Sequence, residues 1–394
     1  MPESTLKLST RKGEQTRGVY RVSPARPSTL SQMRKLALLA ASVLVLTGCS
    51  AEPEETIAPT PTATQTATPT PTEEPEPEPI LVAAPLTGVL YEEGTNALLE
   101  LPAVSAKIDN TTPGRPQLAL NSADIVYVTR VEIGLTRLLP VWHSRTPEVI
   151  GPVRSVRPVD AAIVDPFNGI FVYSGGQAPF KSAAKATGLI MSDEDTEMNN
   201  DTYFREKSRV APWNLFFEAA ELQLLYSVEQ PAPAPGFEFD AIPTAVTDGT
   251  PVVGLGVKYP QMHSEWELGT AMFDWSVNEE PAWLRTQDGS EHTQEGGERV
   301  IAKNVVVMEV AHDLSFVDPK YGAIPKAMLE NNEGIAHIFS DGYYLQAAWS
   351  KAESGDPILL STTDGGPLKL AMGNTWVEMM DVPKSKLTIT EPEA

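Results

Sequence analysis

The chain has a single cysteine, Cys49, so a disulfide within one molecule is impossible. Long apolar runs are equally scarce. Apart from Leu36 to Leu46, none approaches the 20 or so residues that a membrane-crossing helix needs, and Val305-Val306-Val307-Met308 is only strand-sized. Positive charge is in deficit, with 30 basic residues against 52 acidic ones and a net charge of −22. Such a surface repels nucleic acid and anionic headgroups, which excludes both as general partners. The five histidines (His143, His263, His292, His312, His337) are scattered, with no pair at metal-ligand spacing. The G-x-S-x-G elbow, the phosphate loop G-x-x-x-x-G-K and H-E-x-x-H are all missing. The acidic run from Asp193 to Glu197 fails as a calcium loop, because Met198 stands where glycine must turn and Phe204 where a bidentate Glu should sit. Ser182-Ala183-Ala184-Lys185 has the S-x-x-K spacing, but Lys185-Ala186-Thr187-Gly188 is not K-T-G, so the set is incomplete. No metal and no cofactor is expected.

What is present begins at the N-terminus. Met33-Arg34-Lys35, the apolar stretch to Leu46, and Thr47-Gly48-Cys49 have the order of a bacterial lipobox. The expectation is a signal peptide over 1–48, with Met33 as the true start, and a diacylated, palmitate-type anchor on Cys49. Two or more acyl chains hold stably where one is marginal. Eight basic and two acidic residues precede Cys49, so the mature chain carries 22 against 50, a net charge of −28. Residues 49–84 read as the anchor and a disordered Pro/Thr/Glu tether. At about 3.1 Å per residue its 30-residue core could reach about 90 Å.

The remainder divides at Pro231-Ala232-Pro233-Ala234-Pro235-Gly236, read as a hinge over 231–236. Residues 85–230 mix strands (Ala103 to Ile108, Asp124 to Glu132, Arg137 to His143, Ile170 to Tyr173) with helices over Ala178 to Thr187 and Trp213 to Ser227. Residues 237–385 show no convincing helix, only strands broken by Asp288-Gly289, Asp341-Gly342 and Asp364-Gly365-Gly366, a hairpin signal. The fold class is therefore α+β, a mixed α/β N-terminal domain followed by a mostly antiparallel β C-terminal domain.

One polar cluster stands out in so acidic a chain. Asp109 and Asn110 end a strand, and Arg115 follows in a Pro/Gly loop. Glu132 and Arg137 lie on two strands joined at Ile133-Gly134. His143 ends the second of these; Arg154, Arg157 and Asp160 follow; and Ser174-Gly175-Gly176 succeeds another strand. Arg154 and Arg157, three apart, can present two guanidinium forks to one anion, or pair internally with Asp109, Asp124, Glu132 or Asp160.

Lys107-Ile108-Asp109-Asn110, Arg115-Pro116-Gln117, Gly151-Pro152-Val153-Arg154-Ser155, Tyr173-Ser174-Gly175-Gly176, Trp349-Ser350-Lys351 and Gly373-Asn374-Thr375-Trp376-Val377 resemble the YerB-type lipoproteins of bacteria. The resemblance implies a two-domain, lipid-anchored extracytoplasmic protein of a family whose activity is uncharacterised. The chain departs from it at Trp213, where the family usually has His, and at Glu132-Ile133-Gly134, where it tends to have Glu-Gly-Gly. The expected function is binding, at the outer face of the cell membrane, of a wall glycan or peptide or an envelope protein. The alternative is a wall hydrolase or transferase using Asp109, Glu132 or Asp160 with His143.

Overall fold

A computed structural model describes residues 78–197 and 201–393, all within one compact unit, Pro75–Ala394. Cys49, the signal segment and most of the tether lie outside the described residues. No helix among the described residues is long and apolar enough to cross a membrane.

The centre is a 12-stranded mixed sheet. Its middle is Thr375–Asp381, buried at every position and parallel to a neighbour on each side. Asn304–Val310 flanks it on one side and Ile125–Arg130 on the other, the latter in register from Thr375↔Ile125 to Glu378↔Val128. Both faces of this strand are also buried in packed cores, so it reads as the apolar run Trp376-Val377 and Met379-Met380 broken only by Glu378. From Ile125–Arg130 the sheet continues through Thr136–Trp142, Val104–Ala106, Ile170–Val172 and Ile190–Ser192. From Asn304–Val310 it continues through Asn332–Ser340 and Tyr343–Lys351. Segment 231–236 thus links two halves that also share backbone hydrogen bonds, and Pro233 and Phe237 anchor it by burial.

Side chains alternate across the central sheet with period two. Val306, Met308, Tyr127 and Val377 enter a core with Ile163, Phe167 and Phe180 from the helical side. Val305, Val307, Val126 and Trp376 enter a second core with Trp266, Trp283 and Leu255. Those last three belong to a six-stranded antiparallel sheet, in which Gly254–Lys258, His263–Met272 and Glu279–Gln287 are successive neighbours. The product is three layers: short helices, mixed sheet, antiparallel sheet. The α+β class expected from the sequence is the one observed.

Asp288-Gly289 and Asp341-Gly342 both hold positive φ at both residues, as two-residue hairpin turns require. Several expectations need correction. Ile80, Leu81 and Val82 do not extend the tether, since Leu81–Ala83 pairs with Leu90–Glu92 once the Pro/Glu pattern gives way to β-formers. Trp213 to Ser227 is not one helix: Leu215–Glu218 is a strand between Tyr203–Arg205 and Val149–Ile150, and only Ala219–Leu225 is helical. Tertiary pairing overrides the helical spacing there, burying Leu215, Phe216 and Phe217 in succession. The Asp364-Gly365-Gly366 turn closes a single bridge, Ser361↔Pro367, because Lys369–Ala371 pairs in parallel with Glu238–Asp240. The second half holds one short helix, Thr244–Asp248, and its fold extends past 385, where Lys386–Thr390 pairs with Gly254–Lys258.

Candidate functional site

The charged cluster assembles where Lys107, Asp109 and Arg137 leave adjacent strands and meet the segment Arg154–Asp160. Backbone bonds lock this junction: Arg154 N donates to Lys107 O (2.7 Å), Ser174 N to Arg154 O (2.9 Å) and Val156 N to Gly175 O (3.2 Å). Gly176, at φ +136, lies against Val156, where an added Cβ would come within 2.4 Å of the valine side chain. This close approach is the physical need for glycine after the strand Ile170–Val172.

Each charge has an internal partner. Arg154 Nε lies 2.7 Å from Asp109 Oδ2, and its guanidinium sits 6.0 Å from the Trp213 ring centroid. Trp213 thus lays an aromatic face beside the guanidinium. Arg157 Nε donates to Glu132 Oε2 (2.7 Å), and its terminal nitrogen contacts the other carboxylate oxygen. Arg137 stands 3.6 Å from Glu132 and donates to Ser155 O (3.1 Å). Lys107 Nζ donates to Asp160 Oδ1 (2.7 Å) and Thr129 Oγ1 (2.8 Å), both ends of the pair being fully buried. Asp160 also accepts from Arg157 N (2.6 Å), which fixes the first turn of the helix Asp160–Val164.

Burial acts to raise the Glu132 carboxyl, but the hydrogen bond from Arg157 and the charges of Arg137 and Arg157 outweigh it and bring it down to about 2. Burial, with Arg157 alongside, lowers Arg137 to about 10 despite Glu132. Lys107 is likewise lowered by burial, with Asp160 opposing the shift.

Asp109, Glu132, Arg137, Arg154, Arg157 and Asp160 therefore come together beside the Ser174-Gly175-Gly176 loop. The other candidates do not join them. Asn110 Nδ2 donates to Thr136 Oγ1 (2.8 Å) and Gln287 Oε1 (3.1 Å), and Arg115 pairs with Asp288 (3.0 Å); both tie the first half to the antiparallel sheet. His143 lies past the opposite end of the strand that carries Arg137, about 20 Å away at about 3.3 Å per residue. Burial pushes its imidazole down to about 4, with partial compensation from the backbone of Leu101 and Leu99. Asp124, the fourth acid weighed as an arginine partner, instead accepts from His143 N (2.9 Å), Ser144 N (2.7 Å) and Ser144 Oγ (2.5 Å). Among the described residues no three His, Cys, Asp or Glu side chains stand together as metal ligands.

Sequence reasoning missed a second buried network, between the two sheets. Arg285 NH1 lies 2.6 Å from His292 Nδ1, and His292 Nε2 lies 2.8 Å from Gln117 Oε1. Because Arg can only donate, Nδ1 accepts and Nε2 carries the proton, a neutral tautomer. Burial, then the Arg285 charge, pushes His292 well below its ordinary value, which agrees. Glu378 accepts from Tyr259 OH (2.9 Å) and Trp266 Nε1 (3.3 Å) and stands 3.7 Å from Arg285. Lone charges at inward positions of two apolar strands were the available signal.

Comparison with known proteins places both halves in one family. Residues 86–230 match the family described as "Protein of unknown function (DUF3048) N-terminal domain", and residues 263–377 match its C-terminal domain. The chain belongs to this family. It is similar to the Bacillus subtilis (strain 168) protein named "Putative lipoprotein YerB", 24% identical over 307 residues, covering 75% of this chain and 86% of that protein. The crystal structure of YerB protein from Bacillus subtilis has the same fold, with a TM-score of 0.63, 22% identity, and coverage of 78% of this chain and 99% of that one. The charged cluster and the Gly175-Gly176 loop fall within the N-terminal family segment, Arg285 and His292 within the C-terminal one, and Glu378 one residue past it.

Proposed function

We propose that the protein is a lipid-anchored envelope protein on the outer face of the cell membrane. It is held there by an acylated Cys49 and binds a cell-wall component or an envelope protein without transforming it. The name of the Bacillus subtilis relative supports a lipoprotein. The observation that carries binding over catalysis is the commitment of charge in the cluster. Arg154 faces Asp109, Arg157 and Arg137 face Glu132, and Lys107 faces Asp160. A general acid or base needs a pKa near the working pH and an open path to substrate. Glu132 at about 2 and a walled-in His143 at about 4, on different ends of a strand, are poor partners for such chemistry. The test is incubation of the soluble unit Pro75–Ala394 with purified sacculi. Retention without soluble fragments is expected; released wall fragments would favour a hydrolase or transferase instead.

A further inference from the structure

A cleft of about 730 Å3 lies away from the charged cluster, between the turn Leu120–Ser122 and the antiparallel sheet. Its size is within the range of sites that bury a small ligand, about 300–1,000 Å3. Its walls are held by Asn121. The backbone N of Asn121 donates to Gln294 Oε1 (3.0 Å) and its Nδ2 to Arg299 O (2.9 Å), while its Oδ1 accepts from Ile301 N (3.1 Å). Arg145 donates to the Asn121 carbonyl (3.1 Å) and to Asp274 (2.6 Å), and its guanidinium lies 4.9 Å from the Trp275 ring centroid. Trp275 in turn stacks on Phe273, with centroids 4.7 Å apart at 18°.

The lining has two characters. Leu284, Ile301, Phe273 and Met272 supply apolar surface, and Met272 is 56% exposed. Amides, guanidiniums and carboxylates supply planar donors and acceptors. Arg145 is neutralised by Asp274, and Arg299 by Glu291 at 2.8 Å. Glu298 accepts from Gln294 (2.6 Å) and has no ion-pair partner among the described residues. Three carboxylates against two guanidiniums repel an anionic ligand.

We propose that this cleft binds a neutral amino-sugar oligosaccharide, an inference that rests on the wall-binding reading and names its ligand class. A pyranose offers what this lining complements, an apolar C–H face for exposed Met272 and half-buried Leu284 and paired hydroxyls for the planar polar groups. The fixed Asn121 contacts mean the walls are ordered before the ligand arrives, which lowers the entropic cost of binding.

The probe is the β-1,4-linked tetramer of N-acetylglucosamine, titrated into Pro75–Ala394 by calorimetry with Trp fluorescence alongside. Met272→Asp and Glu298→Ala change exposed side chains, so melting should stay put while each weakens the tetramer at least tenfold. Tetramer binding that both variants leave undiminished overturns the cleft. So does an unbound tetramer when sacculi still retain the chain, or binding of a wall stem peptide in its place. Tetramer binding lost in the variants, with wild-type chain not retained by sacculi, supports the cleft and sinks only the wall reading.

Discussion

Arg157 grips Glu132 at two points, with Nε 2.7 Å from Oε2 and a terminal nitrogen on Oε1, while both side chains are about nine-tenths buried. A two-point fork in low dielectric is a strong, geometrically specific contact. It also makes the cluster intolerant of losing one member. Arg157→Gln leaves the buried Glu132 carboxylate only the more distant Arg137, 3.6 Å away, and should cost about 2–4 kcal/mol. Urea unfolding measures this, and a loss below about 1 kcal/mol would show that the guanidinium is free for a ligand.

Stability should fall on acidification in two stages. His143 and His312 hold folded pKa values of about 4 against 6.5 for the free side chain, so between those values the unfolded chain binds more protons and stability drops as pH falls. Glu132 is depressed from 4.5 to about 2, so its contribution is present above the higher value and is lost as pH falls through the lower. Unfolding free energies measured from pH 7 to pH 2 should show both limbs. Glu132→Gln should flatten only the second, and an unchanged slope below pH 4.5 would contradict the assignment.

Ile133 has φ +61 and is 64% exposed, a β-branched residue in left-handed backbone with little burial to compensate. That conformation costs about 1–2 kcal/mol for an L-residue, and glycine gives part of it back as unfolded-state entropy. Ile133→Gly should therefore raise stability by up to about 1 kcal/mol. A lower melting temperature would mean that the strain is offset by contacts of the side chain.

Glu378 and Arg285 are both fully buried. Glu378→Gln alone leaves Arg285 charged in the core and should cost about 3–5 kcal/mol, whereas Glu378→Leu with Arg285→Met should come close to wild type. If the double variant is as unstable as the single one, the surrounding bonds of His292, Tyr259 and Ser264, whose Oγ accepts from Arg285 at 2.7 Å, carry the energy instead.

Cys49→Ala should release the protein into the medium or leave an unprocessed precursor, as fractionation and mass measurement would show. A variant that stays membrane-bound with normal processing would refute lipid attachment at Cys49.

β-Branched and aromatic content was enough to place strands around Ala103 to Ile108, Asp124 to Glu132, Arg137 to His143 and Ile170 to Tyr173, the Gly188 stop the helix near Ala178, and the Asp-Gly turns the β-rich second half, because those signals arise between residues close along the chain. The polar group singled out in the sequence held Asp109, Glu132, Arg137, Arg154, Arg157 and Asp160, but also Asn110, Arg115 and His143, which the fold places elsewhere. Which charge faces which was decided by tertiary structure alone. Arg154 and Arg157, three apart, turn to Asp109 and Glu132 on different segments, and no local rule encodes that choice. The same limit explains Leu215–Glu218, whose helical spacing yields to strand pairing with residues some 12 and 67 positions away, such as Phe204 and Ile150. It explains the central sheet as well. Thr375–Asp381 sits beside Ile125–Arg130, about 250 residues earlier, because only that placement buries both faces of an apolar strand while pairing its backbone groups.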